Sequence, residues 1–96
     1  MARAPKILVV NGPNLNMLGV REPAVYGRDR LADIEKLCRK AGREFALAID
    51  FRQSNHEGEI VDVIHKARGR VDAIVINPGA FGHYSYAIAD ALLTFE

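Results

Sequence analysis

Read as apolar and polar positions, the chain repeats one alternation. Three short runs of apolar, largely branched residues stand out: "KILVV" at 6–10, "FALAIDF" at 45–51 and "AIVI" at 73–76. The first and third are apolar throughout, the pattern of strands buried on both faces. Between the first two runs, Leu31, Ile34, Leu37, Cys38 and Ala41 recur at helical spacing, and Gly42 offers a stop. Between the second and third, Ile60, Val61, Ile64 and Ala67 form another apolar stripe. Ser54 and Glu57 make an S-x-x-E capping box that would start this second helix. A third helix is expected over 84–94, with Ala87, Ile88, Ala91 and Leu92 facing inward.

The order β-α-β-α-β-α predicts an α/β fold, a parallel sheet with right-handed crossovers. The flavodoxin-like winding fits, with strand order beginning 2-1-3 and helices on both faces. Its switch point lies between the first and third strands. That winding normally has five strands, and the sequence holds three, so the last two are apparently lacking. The expectation is a single domain over 1–96, C-terminally incomplete, with an unpaired edge at strand three.

Length and composition narrow the class. With 96 residues the chain buries a modest fraction of its surface, so partners covering apolar faces would help stability. A net charge of +1, with both signs interspersed, gives no electrostatic argument for nucleic acid or a membrane surface. Cys38 is the only cysteine, which rules out an internal disulfide and fits a reducing, cytoplasmic compartment. The N-terminus lacks the apolar segment of a signal peptide, and no apolar run approaches the ~20 residues of a membrane span.

In open parallel sheets, ligands bind beyond the carboxyl ends of the strands. Those ends lead into 11–28, 52–56 ("RQSNH") and 77–83 ("NPGAFGH"), all dense in hydrogen-bonding and small residues. Such rims build polar small-molecule pockets, although Asn, Gly and Pro are also ordinary turn formers. No G-x-G-x-x-G or G-x-x-x-x-G-K-[ST] phosphate loop is present, and no Cys/His cluster has zinc spacing. His65 falls mid-helix and reads as a structural or surface residue, whereas His56 at a helix start is ambiguous. His83, after a Gly-rich strand end at the switch point, is a candidate site residue.

Arg21 and Tyr26 form a second candidate pair. A tyrosine hydroxyl titrates near 10, too weak a base at neutral pH. A guanidinium ~4 Å away contributes on the order of 4 kcal/mol at an effective dielectric near 20. Lowering the pKa by ~2 units needs only about 2.7 kcal/mol. The alternative is that Arg21 pairs with Glu22 while Tyr26 packs.

"NGPNLNMLGVREPAVYG", "QSNHEGEIVDVIHKARG" and "INPGAFGHYSYAIADAL" closely resemble the type II 3-dehydroquinate dehydratases. The resemblance runs from Lys6 to about Leu93. It implies a flavodoxin-like fold and a lyase that dehydrates 3-dehydroquinate to 3-dehydroshikimate in the shikimate pathway, without cofactor or metal. By resemblance, Tyr26 matches the general base, on a lid that closes over substrate. Arg21 matches the arginine that keeps this base ionised. Asn14 matches the residue that helps stabilise the enolate through a bound water. Asn77, Gly79, Ala80, His83 and Asp90 match substrate-binding positions. Asp90 would reach the site of a neighbouring subunit, since the family assembles as trimers packed into dodecamers. Ala89, Gly82 and Tyr84 depart from the family's commoner residues.

The resemblance also implies something missing. The family continues into a fourth strand and a His-x-Ser-Asn block whose histidine protonates the departing hydroxyl. None of His56, His65 or His83 matches that position. Loss of one acid–base partner costs about 10² to 10⁴ in rate, so a chain ending at Glu96 is expected to be nearly inactive alone. A non-catalytic assembly or regulatory module of the same fold is the main alternative. A flavodoxin-like anion or nucleotide binder is the weaker one, without a phosphate loop to support it.

Overall fold

The computed structural model describes residues 4–20 and 27–95. The central strand, β1 (Lys6–Asn11), pairs in parallel with β2 (Ala48–Gln53) on one side and β3 (Ala73–Asn77) on the other. The order β2-β1-β3 is the expected 2-1-3 winding. The crossovers are α1 (Leu31–Glu44) and α2 (Glu57–Ala67), and α3 (Tyr86–Leu93) follows β3. Short 3-10 turns occupy Leu15–Met17 and Gly79–His83, just past the carboxyl ends of β1 and β3.

The period-2 alternation of β1 divides the layers. Leu8 and Val10 point to one face and are buried with Ile60, Ile64 and Ala67 of α2 and Ile88 and Ala91 of α3. Fully burying each large aliphatic contributes about 1.5–3 kcal/mol, so this cluster is the main source of stability. Ile49, in register with Ile7, lies on the opposite face, where α1 packs. Helices thus cover both faces, as the three-layer winding requires.

Several local expectations give way to the structure. Gly42 does not stop the first helix, which runs on to Glu44 with Gly42 buried inside it. A Cβ at Gly42 would stand 2.8 Å from Ile49 Cγ1, so the glycine serves a close helix–strand approach. Phe45 therefore caps the helix and is 71% exposed, and β2 begins three residues later than expected, at Ala48. Leu37 and Ala41 of the expected apolar stripe are exposed, while Leu31, Ile34 and Cys38 are half-buried.

The Ser54–Glu57 capping box does not form. Ser54 Oγ accepts from the His56 N–H (2.9 Å) and donates to Glu59 (2.7 Å), and α2 starts after His56. The Glu57 carboxylate instead accepts from Ser85 Oγ at 2.5 Å. The third helix is shorter than expected, because the Gly79–His83 turn precedes it, and Ala87 faces solvent. Strand three is not buried on both faces, since Val75 is 57% exposed. His65 is exposed, a surface residue, but lies in the last turn of α2 rather than at its middle. Among the described residues no helix is long and apolar enough to cross a membrane.

Candidate active site

The site is an extension of the sheet. Beyond the last ladder residues, the Gly12 N–H still donates to the Asn77 carbonyl (2.8 Å) and the Ser54 N–H to the Asn11 carbonyl (2.9 Å). Asn11, only 6% exposed, donates from Nδ2 to the Arg52 carbonyl at 3.0 Å. All three strand ends are therefore stitched together before their loops diverge.

The first and third loops then pack backbone against backbone. Gly12 lies against Pro78 so closely that no side chain fits between them. Gly79, at φ +60, approaches the Pro13 carbonyl, and its N–H donates to Asn77 Oδ1 at 3.3 Å. Asn14 adopts the left-handed conformation (φ 68) and caps the Leu15–Met17 turn. A non-glycine residue there carries a cost of about 1 kcal/mol or more, which surrounding contacts must hold in place. The contacts come from the end of β2. The Asn14 N–H donates to Asn55 Oδ1 (2.9 Å). Gln53 Nε2 lies within reach of Asn55 Oδ1 (3.1 Å), the Gly12 carbonyl (3.2 Å) and Asn16 Oδ1 (3.4 Å).

Between the first and third loops opens a cavity of about 200 Å³, lined by Pro13, Asn14, Leu15, Met17, Leu18, Gly79 and Ala80. It stands at the switch point, where the winding directs a ligand. No ionisable group among the described residues lines it. Its polar equipment is one carboxamide and the peptide groups of two loops, in a mostly apolar wall. Such a setting suits an uncharged hydrogen-bond donor aimed at an oxygen that gains charge during a reaction.

Those expected site residues that the structure describes fall in three places. Asn14, Gly79 and Ala80 line this one cavity, and Asn77 braces it through Gly79. His83 ends the second 3-10 turn and is exposed, outside the cavity lining. Asp90 lies on α3, in a shallow open depression with Tyr86, Ala87, Ala89 and Leu93. Arg21 and Tyr26 lie outside the described residues. The sequence does not single out Gln53 and Asn55 individually, although "RQSNH" marks their segment. His56, from the same segment, is exposed at the start of α2 and its side chain makes no capping bond.

A second cavity, of about 170 Å³, lies on the α2 face of the sheet and reaches Lys6 at the amino end of β1. Lys6, Asp50, Arg52, Lys66 and Arg70 contribute to its lining. Arg52 binds Asp50 at 2.7 Å, and this hydrogen bond, opposed by partial burial and helped by the nearby positive charges, holds the carboxyl below its usual range. The pair is a structural feature of an edge strand.

The model of the dehydroquinase class II family matches residues 5–96. The 3-dehydroquinate dehydratase 2 of Pseudomonas putida is 60% identical over 92 residues, covering 96% of this chain and 62% of that protein. The 3-dehydroquinate dehydratase of Streptomyces avermitilis is 58% identical over 96 residues, covering all of this chain and 60% of that protein. The crystal structure of a type II dehydroquinase from Butyrivibrio crossotus superposes with a TM-score of 0.91 at 47% identity, over 95% of this chain and 63% of that one. The chain thus spans about 60% of the length of the curated relatives it matches. Its strand order, its rim and the match across nearly all its residues agree: the chain belongs to the class II dehydroquinase family.

Proposed function

We propose that the protein of which these residues form the active-site rim dehydrates 3-dehydroquinate to 3-dehydroshikimate. The observation that carries this reading is the meeting of Asn14 with Gly79 and Ala80, from two different loops, around one cavity at the switch point. Family membership and the activities for which the relatives are named support the substrate.

In this reading the Tyr26 phenolate takes the proton from the carbon next to the substrate ketone. Arg21 favours the ionised phenol by its charge. The electron pair of the broken C–H bond moves onto the ketone oxygen, giving an enolate. Asn14 stabilises that oxygen as its charge grows. When the carbonyl re-forms, the hydroxyl on the adjacent carbon leaves as water after accepting a proton. That proton needs a general acid, and no histidine lines the cavity among the described residues. Asn77 and His83 are assigned to holding the substrate's hydroxyl and carboxylate groups. Asp90 is assigned to a neighbouring copy's site, in a trimer that further packs into a dodecamer. The exposure of Tyr86 (89%) and Leu93 (79%) beside Asp90 supports a second copy on that surface.

The test is an absorbance assay for the conjugated enone product, run on the protein as the cell makes it. Turnover that falls by about 10² or more in Tyr26→Phe supports the assignment. Absence of turnover from protein shown to be folded refutes it and favours a non-catalytic assembly module.

A further inference from the structure

Asn14 is the only candidate catalytic group lining the cavity among the described residues, and its backbone is held in a conformation that asparagine adopts at a cost. What holds it is a pair of carboxamides about forty positions along the chain, at the end of the neighbouring strand. Asn55 Oδ1 takes the Asn14 N–H at 2.9 Å, a donor that the start of a 3-10 turn leaves without a partner. Gln53 Nε2 donates to Asn55 Oδ1 at 3.1 Å and reaches the Gly12 carbonyl and Asn16 Oδ1, which flank Asn14 in sequence. The two residues touch the flanks and the backbone of Asn14, and neither lines the cavity.

We propose that Gln53 and Asn55 are positioning residues, a carboxamide clamp that sets the direction of the Asn14 side chain. The proposal rests on the reading of Asn14 as the enolate-stabilising group. Folding alone does not call for the clamp: the buried core lies on the α2–α3 side of the sheet, away from it. The chemistry of the two carboxamides is also asymmetric. Gln53 acts here through its nitrogen, facing three oxygen acceptors. Asn55 acts through its oxygen, accepting from two nitrogens.

That asymmetry makes near-isosteric substitutions informative. Asn55→Asp keeps an oxygen acceptor at Oδ1 and preserves both bonds. Gln53→Glu replaces the donor with an oxygen facing three oxygens, so the clamp opens. In the dehydration assay on the protein as the cell makes it, Gln53→Glu is expected to lower kcat by about 10- to 10²-fold, the scale of a group misplaced by about an ångström. KM is expected to change less than about threefold, because the clamp acts on a group that works in the transition state. Asn55→Ala follows Gln53→Glu, and Asn55→Asp restores most of the loss. On an Asn14→Ala background Gln53→Glu costs little more, since its effect runs through Asn14. A purely structural role would instead leave the two losses additive.

A second readout does not depend on turnover. In ¹⁵N-resolved NMR, Asn55→Ala is expected to shift the Asn14 amide and remove its protection from hydrogen exchange, with the Ile60 and Ile64 amides unchanged. The clamp is overturned if Gln53→Glu leaves kcat unchanged, if its loss adds fully to that of Asn14→Ala, or if the Asn14 amide is unaltered in Asn55→Ala. A wild-type protein that binds no 3-dehydroquinate refutes the functional reading instead, and the NMR result then decides the clamp alone.

Discussion

Gly12 and Pro78 stand so close that a Cβ on Gly12 would lie 2.3 Å from the Pro78 carbonyl oxygen. The obstructing atoms belong to the backbone, so no rotamer change relieves the clash. Gly12→Ala must push the first and third loops apart, at a cost of about 1–3 kcal/mol or more. Urea denaturation should show a lower midpoint, and the Gly12–Asn77 backbone hydrogen bond should lose exchange protection. An unchanged midpoint would contradict the packing described.

The other glycines separate propensity from packing. A Cβ added at Gly58, in the first turn of α2, would meet nothing within 4 Å, whereas one at Gly42 in α1 would meet Ile49 at 2.8 Å and the Leu47 carbonyl at 2.9 Å. Alanine gains up to about 1 kcal/mol over glycine in a helix. Gly58→Ala should therefore raise the melting temperature and Gly42→Ala should lower it, because steric conflict exceeds the propensity gain. Equal shifts in the same direction would refute the distinction.

Ser85 joins two helices through one hydroxyl. Its Oγ accepts from the Ile88 N–H (3.1 Å), capping α3, and donates to Glu57 at the start of α2 (2.5 Å). Ser85→Ala removes the cap and leaves a partly buried carboxylate short of a donor. The expected loss is about 1–2 kcal/mol, measured by denaturant titration. Ser85→Thr should recover part of it, and a loss below a few tenths of a kcal/mol would count against the double role.

The Asp50–Arg52 pair sets a weak acid dependence. Its hydrogen bond from Arg52 holds the Asp50 carboxyl below the ordinary value of 3.8. The unfolded chain therefore binds the proton more readily, and the pair's stabilisation is present above that value and lost as pH falls below it. Arg52 is exposed and Asp50 only partly buried, so the contribution stays within about 1 kcal/mol and fades in molar salt. Asp50→Asn should flatten the stability profile as pH falls through and below the ordinary carboxylate value, and at pH 7 change it only by a constant offset. A pH slope identical to that of wild type would exclude the pair as its source.

The sheet was legible because its signal is redundant. "KILVV" and "AIVI" are read as strands by composition, by length and by the helical stripes between them, and any one of these suffices. The misread positions are those where one residue decides. Gly42 looks like a stop until Ile49, seven positions later, is found beneath it. Glu57 looks like half of a capping box until Ser85, on another element, takes its carboxylate.

The meeting of the first and third loops around one cavity was legible in a similar way. Asn14, Gly79 and Ala80 follow parallel strands at the switch point, where topology alone brings loops together. Gln53 and Asn55 were not, because a hydrogen bond between residues 41 positions apart leaves no periodicity behind. Asp90 was placed by resemblance, and it lies on α3 in a depression apart from the cavity.

The ladder bonds that run past the strands, from Gly12 to Asn77 and from Ser54 to Asn11, bear on ligand affinity. A loop that becomes ordered only on binding subtracts its lost freedom from the affinity it provides. Here the described part of the rim is anchored by the same backbone network that forms the sheet, so folding has already removed that freedom. A ligand arriving at Asn14 and Gly79 meets a surface with little left to freeze, and its binding entropy there should be governed by displaced water.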